Sequence, residues 1–223
     1  MYNRNMPHHS PTITAVVLTY NEASMIVNCL ETLQWCDQIL IVDSGSTDMT
    51  IGLAERAGAK VIKTKEETFA GRRNSALQHM QTDWMIHIDA DERVTPALAR
   101  EIQKTIRNTP HTGFSLRRNN IHYGKWMEHG GWEQDVVERL FRIDAFEQWT
   151  GEVHESPHTS GTIGSLQQSL VHLTHRNVVD GLRKSIVWTG IEAELLHAAG
   201  HPPVRPRTLF RKTIMELVRR AVF

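Results

Sequence analysis

Two apolar runs without polar alternation, residues 14–18 (TAVVL) and 38–42 (QILIV), constrain this chain most. A strand that is apolar on both faces must be covered on both, which is the mark of a parallel sheet packed between helices. Between the runs, Met25, Ile26, Cys29, Leu30 and Leu33 recur at helical spacing after a polar Asn21-Glu22 start, so the segment reads as a βαβ unit. A helix over 47–57 follows, with Gly58 placed as its C-terminal cap. Then come a short strand at Val61-Ile62, a helix over 74–80 and a strand over 84–88. Pro96 opens a further helix with Leu98, Ile102 and Ile106 on one face, closed by Asn108-Thr109-Pro110. Strands alternating with helices predict an α/β fold built on a mostly parallel, Rossmann-like sheet flanked by helices.

The periodicity changes after residue 112. Residues 113–155 are rich in Gly, Trp, Arg and His, with strand-like pieces at Phe114-Ser115-Leu116 and Arg139-Leu140-Phe141. This half is expected to be irregular with a few strands and to suit a second substrate. A turn region and a helix over 178–199 come next, ended by Gly200 and Pro202-Pro203. The expected organisation is a flexible N-terminus at 1–11, a first subdomain at 12–110, a second at 111–200 and a basic amphipathic helix at 201–223.

At 223 residues a chain can bury about 70–75% of its unfolded surface, so a sizeable core is available. Lys+Arg and Asp+Glu both number 25, which argues against nucleic acid as a partner bound over a generally basic surface. The balance hides an asymmetry. From Arg205 onward six basic side chains face one acid, Glu216, while the preceding residues carry 19 basic against 24 acidic. In this tail Phe210, Ile214, Leu217 and Val218 share one helical face, with Arg211, Lys212, Arg219 and Arg220 around it. Such a helix either lies on an anionic membrane surface or docks its apolar face on the domain. Cys29 and Cys36, seven apart in what reads as one helix, would stand about 10 Å apart, too far for a disulfide. A polar first eleven residues and no apolar stretch near ~18 residues predict a cytoplasmic location, with peripheral contact at the inner membrane as the tail's contribution.

The chemistry gathers at strand ends. Ile88-Asp89-Ala90-Asp91-Glu92 closes an apolar strand, and positions i and i+2 of extended chain point to one side. Asp89 and Asp91 would then converge at the carboxyl edge of the sheet, where open α/β folds place ligands. Paired hard-oxygen carboxylates there suit Mn2+ or Mg2+, above all when a diphosphate completes the shell. The plainer reading is a strand-to-helix turn in which Asp91 or Thr95 caps the helix begun by Pro96. The second strand ends in Asp43-Ser44-Gly45-Ser46-Thr47-Asp48, where Asp43 can accept hydrogen bonds from a nucleoside, and the first ends in Thr19-Tyr20-Asn21-Glu22. Arg72 and Arg73 either bind diphosphate or solvate a helix start. Arg139 and Arg142 can hold an anionic acceptor or pyrophosphate.

In order along the chain, VVLTYNEA (16–23), ILIVDSGSTDMT (39–50), RRNSAL (72–77) and DWMIHIDADE (83–92) resemble the motifs of glycosyltransferase family 2, with its GT-A fold. The resemblance implies a nucleotide-sugar site formed by Thr19, Tyr20, Asn21, Glu22, Asp43, Ser44, Arg73 and Asp89, with Asp91 on the metal. The segments GKWMEHGGWEQDVVERLFR (124–142) and GEVHE (151–155) resemble the acceptor region of a narrower branch, the transferases that build the lipopolysaccharide inner core. Within it Asp135 takes the place of the catalytic base, and Trp132, Glu133 and Arg139 that of acceptor contacts. His172, in LVHLTH, resembles a further metal ligand of related enzymes, with His154 the other candidate. Val137-Glu138-Arg139-Leu140 stands where polymer-building members carry Gln-x-x-Arg-Trp, which speaks against a processive synthase.

Transfer from a nucleotide diphosphate sugar, most simply a UDP-hexose, needs a Lewis acid for the departing diphosphate and a base for the acceptor hydroxyl. The implied activity is an inverting hexosyl transfer to a saccharide or glycolipid such as lipopolysaccharide core. A nucleotidyltransferase is the competing enzyme class, but Thr19-Tyr20-Asn21-Glu22-Ala23 lacks the glycine of a phosphate loop. A non-catalytic saccharide-binding or membrane-tethered member is expected to have lost the Asp-x-Asp or the base, and both are present.

Overall fold

Each apolar strand divides its side chains between two cores, which is why none alternates with polar residues. In the computed structural model, which describes residues 10–129, 135–151, 155–174, 178–202 and 205–222, β1 (Ile13–Thr19) sends Ala15 and Val17 into one cluster and Val16 into the other. The same division occurs in β2 (Gln38–Asp43), where Ile41 opposes Leu40 and Val42. It recurs in β4 (Trp84–Asp89), where Trp84, Ile86 and Ile88 oppose Met85. Helix α1 (Ile26–Glu31) lies between β1 and β2, and α2 (Thr50–Arg56) between β2 and β3 (Lys60–Lys63). Helix α3 (Phe69–Ser75) and a 3-10 turn at Leu77–His79 lead into β4. The strands run parallel in the order β3-β2-β1-β4, with Thr19 opposite Asp43 and Leu18 opposite Asp89, so the three strand-end groups share one edge.

After β4 the chain turns at Ala90-Asp91 into the two-residue β5 (Glu92–Arg93) and α4 (Pro96–Thr105). Thr95 caps α4, its hydroxyl accepting the Leu98 N–H at 3.1 Å, and Pro96 takes the first turn. The second half holds more strand than its composition suggests. It comprises β6 (Gly113–His122), β7 (Lys125–Trp126), β8 (Val136–Arg142), β9 (Phe146–Thr150), β10 (Ser156–Thr159), β11 (Ile163–Ser165) and β12 (Leu170–His172). Strand β8 joins the parallel block antiparallel to β4, and β6 is antiparallel to β8, so the sheet continues as β8-β6-β12-β5. The alternation missing from the first half shows here as inward Phe114 and Leu116 against outward Ser115 and Arg117.

The first two helices are shorter than their periodicity predicts. Asn21 adopts φ 55°, and its N–H donates to Ser46 Oγ at 2.9 Å, which ties the start of the expected helix to the loop after β2. Helix α1 ends at Glu31, so Cys36 lies beyond it rather than on the same helix as Cys29, and both cysteines are free. The expected helix at 74–80 begins earlier, at Phe69, because the Thr68 hydroxyl accepts the Gly71 N–H at 3.0 Å and starts it there.

The described residues of 1–118 and 136–171 form one compact unit, and those of 119–135 and 172–223 a second. The second unit contains the β6–β7 hairpin end, α5 (Val178–Ala198) and α6 (Pro206–Val222). Ile121 pairs with Trp126 and His122 with Lys125 across Tyr123 (φ 50°) and Gly124 (φ 76°), the two-residue turn with both central φ positive that matches strand twist. No described helix is long and apolar enough to cross a membrane.

Candidate active site

Strand periodicity sets the first unit's site. In β4, Met85, His87 and Asp89 share a face, and that face meets Trp149 of β9 and Arg73 of α3. Asp89 receives Arg73 Nη2 at 3.2 Å and Arg139 Nη2 at 2.5 Å. Arg73, only 2% exposed, also reaches Glu155 at 3.2 Å, and its guanidinium lies 5.0 Å from the Trp149 ring centroid. Glu92, fully buried, accepts the Asp89 N–H at 2.8 Å and pairs with Arg139 at 3.1 Å and Arg118 at 3.3 Å. Arg73 Nη1 and Arg139 Nε are buried without a hydrogen-bond partner among the described residues. Around this cluster opens a cavity of about 650 Å³, walled by the three arginines, Asp89 and Glu155 together with Trp149 and the start of β8.

The guanidiniums of Arg73, Arg118 and Arg139 are interleaved with the carboxylates of Asp89, Glu92 and Glu155. Burial pushes the Asp89 carboxyl upward, but Arg139 and Arg73 outweigh it and keep it below the usual carboxylate range. Burial dominates at Glu92 and raises its pKa against the pull of Arg139. His87 is driven well below the ordinary imidazole value by burial and then by Arg73 and Arg139. Its Nε2 accepts the Trp149 indole N–H at 3.3 Å.

The segment from Asp89 to Asp91 is not extended as predicted, because Ala90 and Asp91 form a turn. The Glu92 carboxylate bonds back to the Asp89 N–H and folds the chain, so Asp91 stands half-exposed in the turn. Since Thr95 is the cap of α4, Asp91 does not serve in that role. Asp43 is buried and accepts four hydrogen bonds: from Gly45 N–H at 2.9 Å, Ser46 N–H at 2.8 Å, the Thr19 hydroxyl at 2.9 Å and the Ser46 hydroxyl at 2.5 Å. Burial works against ionisation there, and the Ser46, Thr19 and Gly45 donors reverse it, leaving the pKa lowered. Asn21 Oδ1 accepts the Thr47 N–H at 2.8 Å, the Glu22 N–H donates to Thr50 Oγ1 at 2.8 Å, and the Ser44 N–H donates to the Thr19 carbonyl at 3.0 Å. The loops after β1 and β2 are thus stitched into one edge, and Tyr20 projects from it 59% exposed.

In the second unit Asp135 and His172 meet at a residue the sequence reading passed over. Asn120, fully buried on β6, donates from Nδ2 to Asp135 Oδ2 at 2.8 Å, and its Oδ1 lies 2.6 Å from His172 Nδ1. Glu92, Arg118 and Glu155 were also not singled out. Glu92 had a signal in its place directly after the Asp-x-Asp, whereas the other two are recognisable only by partners far off in the chain. Trp132, Glu133 and His154 lie outside the described residues.

Comparison with known proteins matches this architecture. An uncharacterized glycosyltransferase of Rickettsia felis is 37% identical over 92 residues, covering 41% of this chain and 32% of that protein's length, so the chain spans about a third of it. The lipopolysaccharide core biosynthesis glycosyltransferase LpsC of Rhizobium meliloti is 26% identical over 91% of this chain and 78% of its own. Among solved structures, glucosyl-3-phosphoglycerate synthase from Mycobacterium tuberculosis, in complex with Mn2+, uridine diphosphate and glucosyl-3-phosphoglycerate, superimposes with TM-score 0.55 at 16% identity, covering 86% of this chain and 81% of that one. Mannosyl-3-phosphoglycerate synthase from Rubrobacter xylanophilus gives TM-score 0.54 at 18% identity over 88% and 78%. The shared fold is the GT-A α/β architecture. Residues 14–171 match the model of Glycosyl transferase family 2, and the chain belongs to that family.

Proposed function

We propose that this chain is an inverting, divalent-metal-dependent glycosyltransferase that moves a hexose from a UDP-hexose to a saccharide or glycolipid acceptor such as lipopolysaccharide core. The observation that carries the reading is the edge where Thr19, Asp43 and Asp89 end three adjacent parallel strands beside an arginine-walled cavity. Family membership supports the reaction class, and the likeness to LpsC over most of the chain supports the acceptor class.

The residues divide the work. Thr19, Tyr20, Asn21, Glu22, Asp43 and Ser44 form the nucleoside edge, and Asp89 with Arg73 presents charged groups to the donor. Arg139, assigned to the acceptor from sequence, shares the cavity wall with them. Asp135 takes the proton of the acceptor hydroxyl while that oxygen's electron pair forms the new bond to the anomeric carbon. The bond to the nucleotide diphosphate breaks on the opposite face, which inverts the centre.

Asp89 is committed to two guanidiniums, so Asp91 is the carboxylate of the pair suited to a cation, and His172 is the further ligand implied by resemblance. No group of three His, Cys, Asp or Glu among the described residues could hold a metal by itself. That fits Mn2+ or Mg2+ sites in which one or two carboxylates share the ion with substrate phosphates. Such an ion neutralises charge on the leaving diphosphate.

The test is thermal stability with UDP, GDP, ADP and CMP, each with and without Mn2+. A nucleotide at ~100 times its Kd adds about 2.7 kcal/mol, several degrees for a chain of this size. A Mn2+-dependent rise with UDP alone is the expected result, and no rise with any nucleotide would overturn the reading.

The location proposed is cytoplasmic with peripheral contact at the inner membrane, carried by α6. Its Phe210, Ile214, Leu217 and Val218 are exposed, and exposed Arg211 and Lys212 lie beside them.

A further inference from the structure

We infer that Asn120 is a positioning residue that fixes the carboxylate of Asp135 for proton abstraction and the imidazole of His172 in a single tautomer; the inference rests on the reading of Asp135 as base. It follows from the donor and acceptor inventory of three side chains. An ionised carboxylate only accepts hydrogen bonds, so the group of Asn120 that faces Asp135 Oδ2 at 2.8 Å must be the NH2. The carboxamide is planar, and its remaining acceptor, Oδ1, then faces His172 Nδ1 at 2.6 Å. An acceptor on one side requires a donor on the other, so His172 carries its proton on Nδ1.

The amide is held on both sides. Asn120 is fully buried, its backbone carbonyl accepts the Met127 N–H at 2.9 Å, and the Tyr123-Gly124 turn closes the hairpin just beyond it. A side chain so fixed can hold a carboxylate in one orientation, and misplacing a reacting group by about 1 Å costs on the order of 10²-fold in rate.

The test follows UDP release from UDP-glucose by the full chain with Mn2+, using deacylated lipopolysaccharide core oligosaccharide as the acceptor probe. Asn120→Leu keeps the volume and removes both hydrogen bonds. It should lower kcat about 100-fold with KM for UDP-glucose within twofold of the parent. Asn120→Ser keeps a hydroxyl that can donate and should retain an intermediate rate; it also serves if the leucine variant does not fold. In an Asp135→Asn background, Asn120→Leu should cost far less rate than in the parent, because the part of its effect that acts through Asp135 is already gone.

An active parent whose two Asn120 variants stay within threefold in kcat overturns the inference. So does a loss of kcat matched by a rise in KM and a fall in Tm, which would make Asn120 a packing residue. An Asp135→Asn variant that keeps the parent's rate removes Asp135 as base, and the role of Asn120 falls with it. A parent that shows no Mn2+-dependent UDP binding overturns the transferase reading itself.

Discussion

His87 is the residue whose chemistry is most altered by its place on β4. In the unfolded chain its imidazole takes up a proton near pH 6.5. In the fold, burial and the neighbouring Arg73 and Arg139 hold it neutral well below that value. A folded-state pKa lowered in this way gives stability that is complete above about pH 6.5 and lost as pH falls, since only the unfolded state gains the proton. The slope approaches about 1.4 kcal/mol per pH unit. Tm measured from pH 7 to 5 should fall, and His87→Gln should flatten that dependence relative to the parent. Equal slopes in the two proteins would show that His87 is not the group responsible. At this scale the acids at strand ends were legible, because Asp43 and Asp89 follow apolar runs and a strand's end is visible in sequence. Their partners were not. Asp89 meets Arg73 and Arg139, 16 and 50 residues away, and Asn120 meets His172 across 52. No local pattern marks such pairs, and the turn at Asp91 depends on a carboxylate bonding back onto the chain.

Elements were read best where both faces of a strand are buried, since apolar runs leave few alternatives for β1, β2 and β4. Short helices were placed less well. The start of α1 is displaced by a left-handed Asn21 and that of α3 is set by the Thr68 hydroxyl, both single-residue effects that periodicity does not register. Strand β6 was legible only as a three-residue piece, because beyond Leu116 its residues Arg117, Arg118, Asn119 and Asn120 are all polar, and nothing in the sequence marks Asn120 as the buried one. Gly113 opens that strand between β8 and β11. A Cβ there would stand 2.7 Å from Ile163 Cδ1, 3.0 Å from Phe141 Cδ1 and 3.2 Å from the Leu140 carbonyl oxygen. Crowding of this kind costs about 1–3 kcal/mol, so Gly113→Ala should lower Tm by several degrees. The cause is packing rather than backbone conformation, so trimming the neighbour with Ile163→Ala should recover part of the loss. No recovery would place the strain against the Leu140 backbone.

For the whole molecule, charge is distributed unevenly: the residues before Arg205 are acidic on balance and those after it basic. Helix α6 carries Phe210 at 71% exposure and Leu217 at 60%. Residues 210, 214 and 217 follow the spacing of one helical face. Vesicles of phosphatidylglycerol and phosphatidylethanolamine should therefore carry the protein on flotation, vesicles of phosphatidylcholine should not, and high salt should release it. Phe210→Glu with Leu217→Glu should abolish flotation without loss of the Mn2+-dependent UDP response. Flotation by the doubly charged variant would rule out α6 as the contact.

The two compact units are interleaved along the chain, which passes between them at 118–119, 135–136 and 171–172. Asn120, Asp135 and His172 each lie within two residues of one of these crossings. For anyone recombining relatives to alter acceptor choice, a single breakpoint therefore cannot transfer the second unit. Segments 119–135 and 172–223 have to be exchanged together, or the hybrid inherits an amide from one parent and its carboxylate or imidazole partner from another.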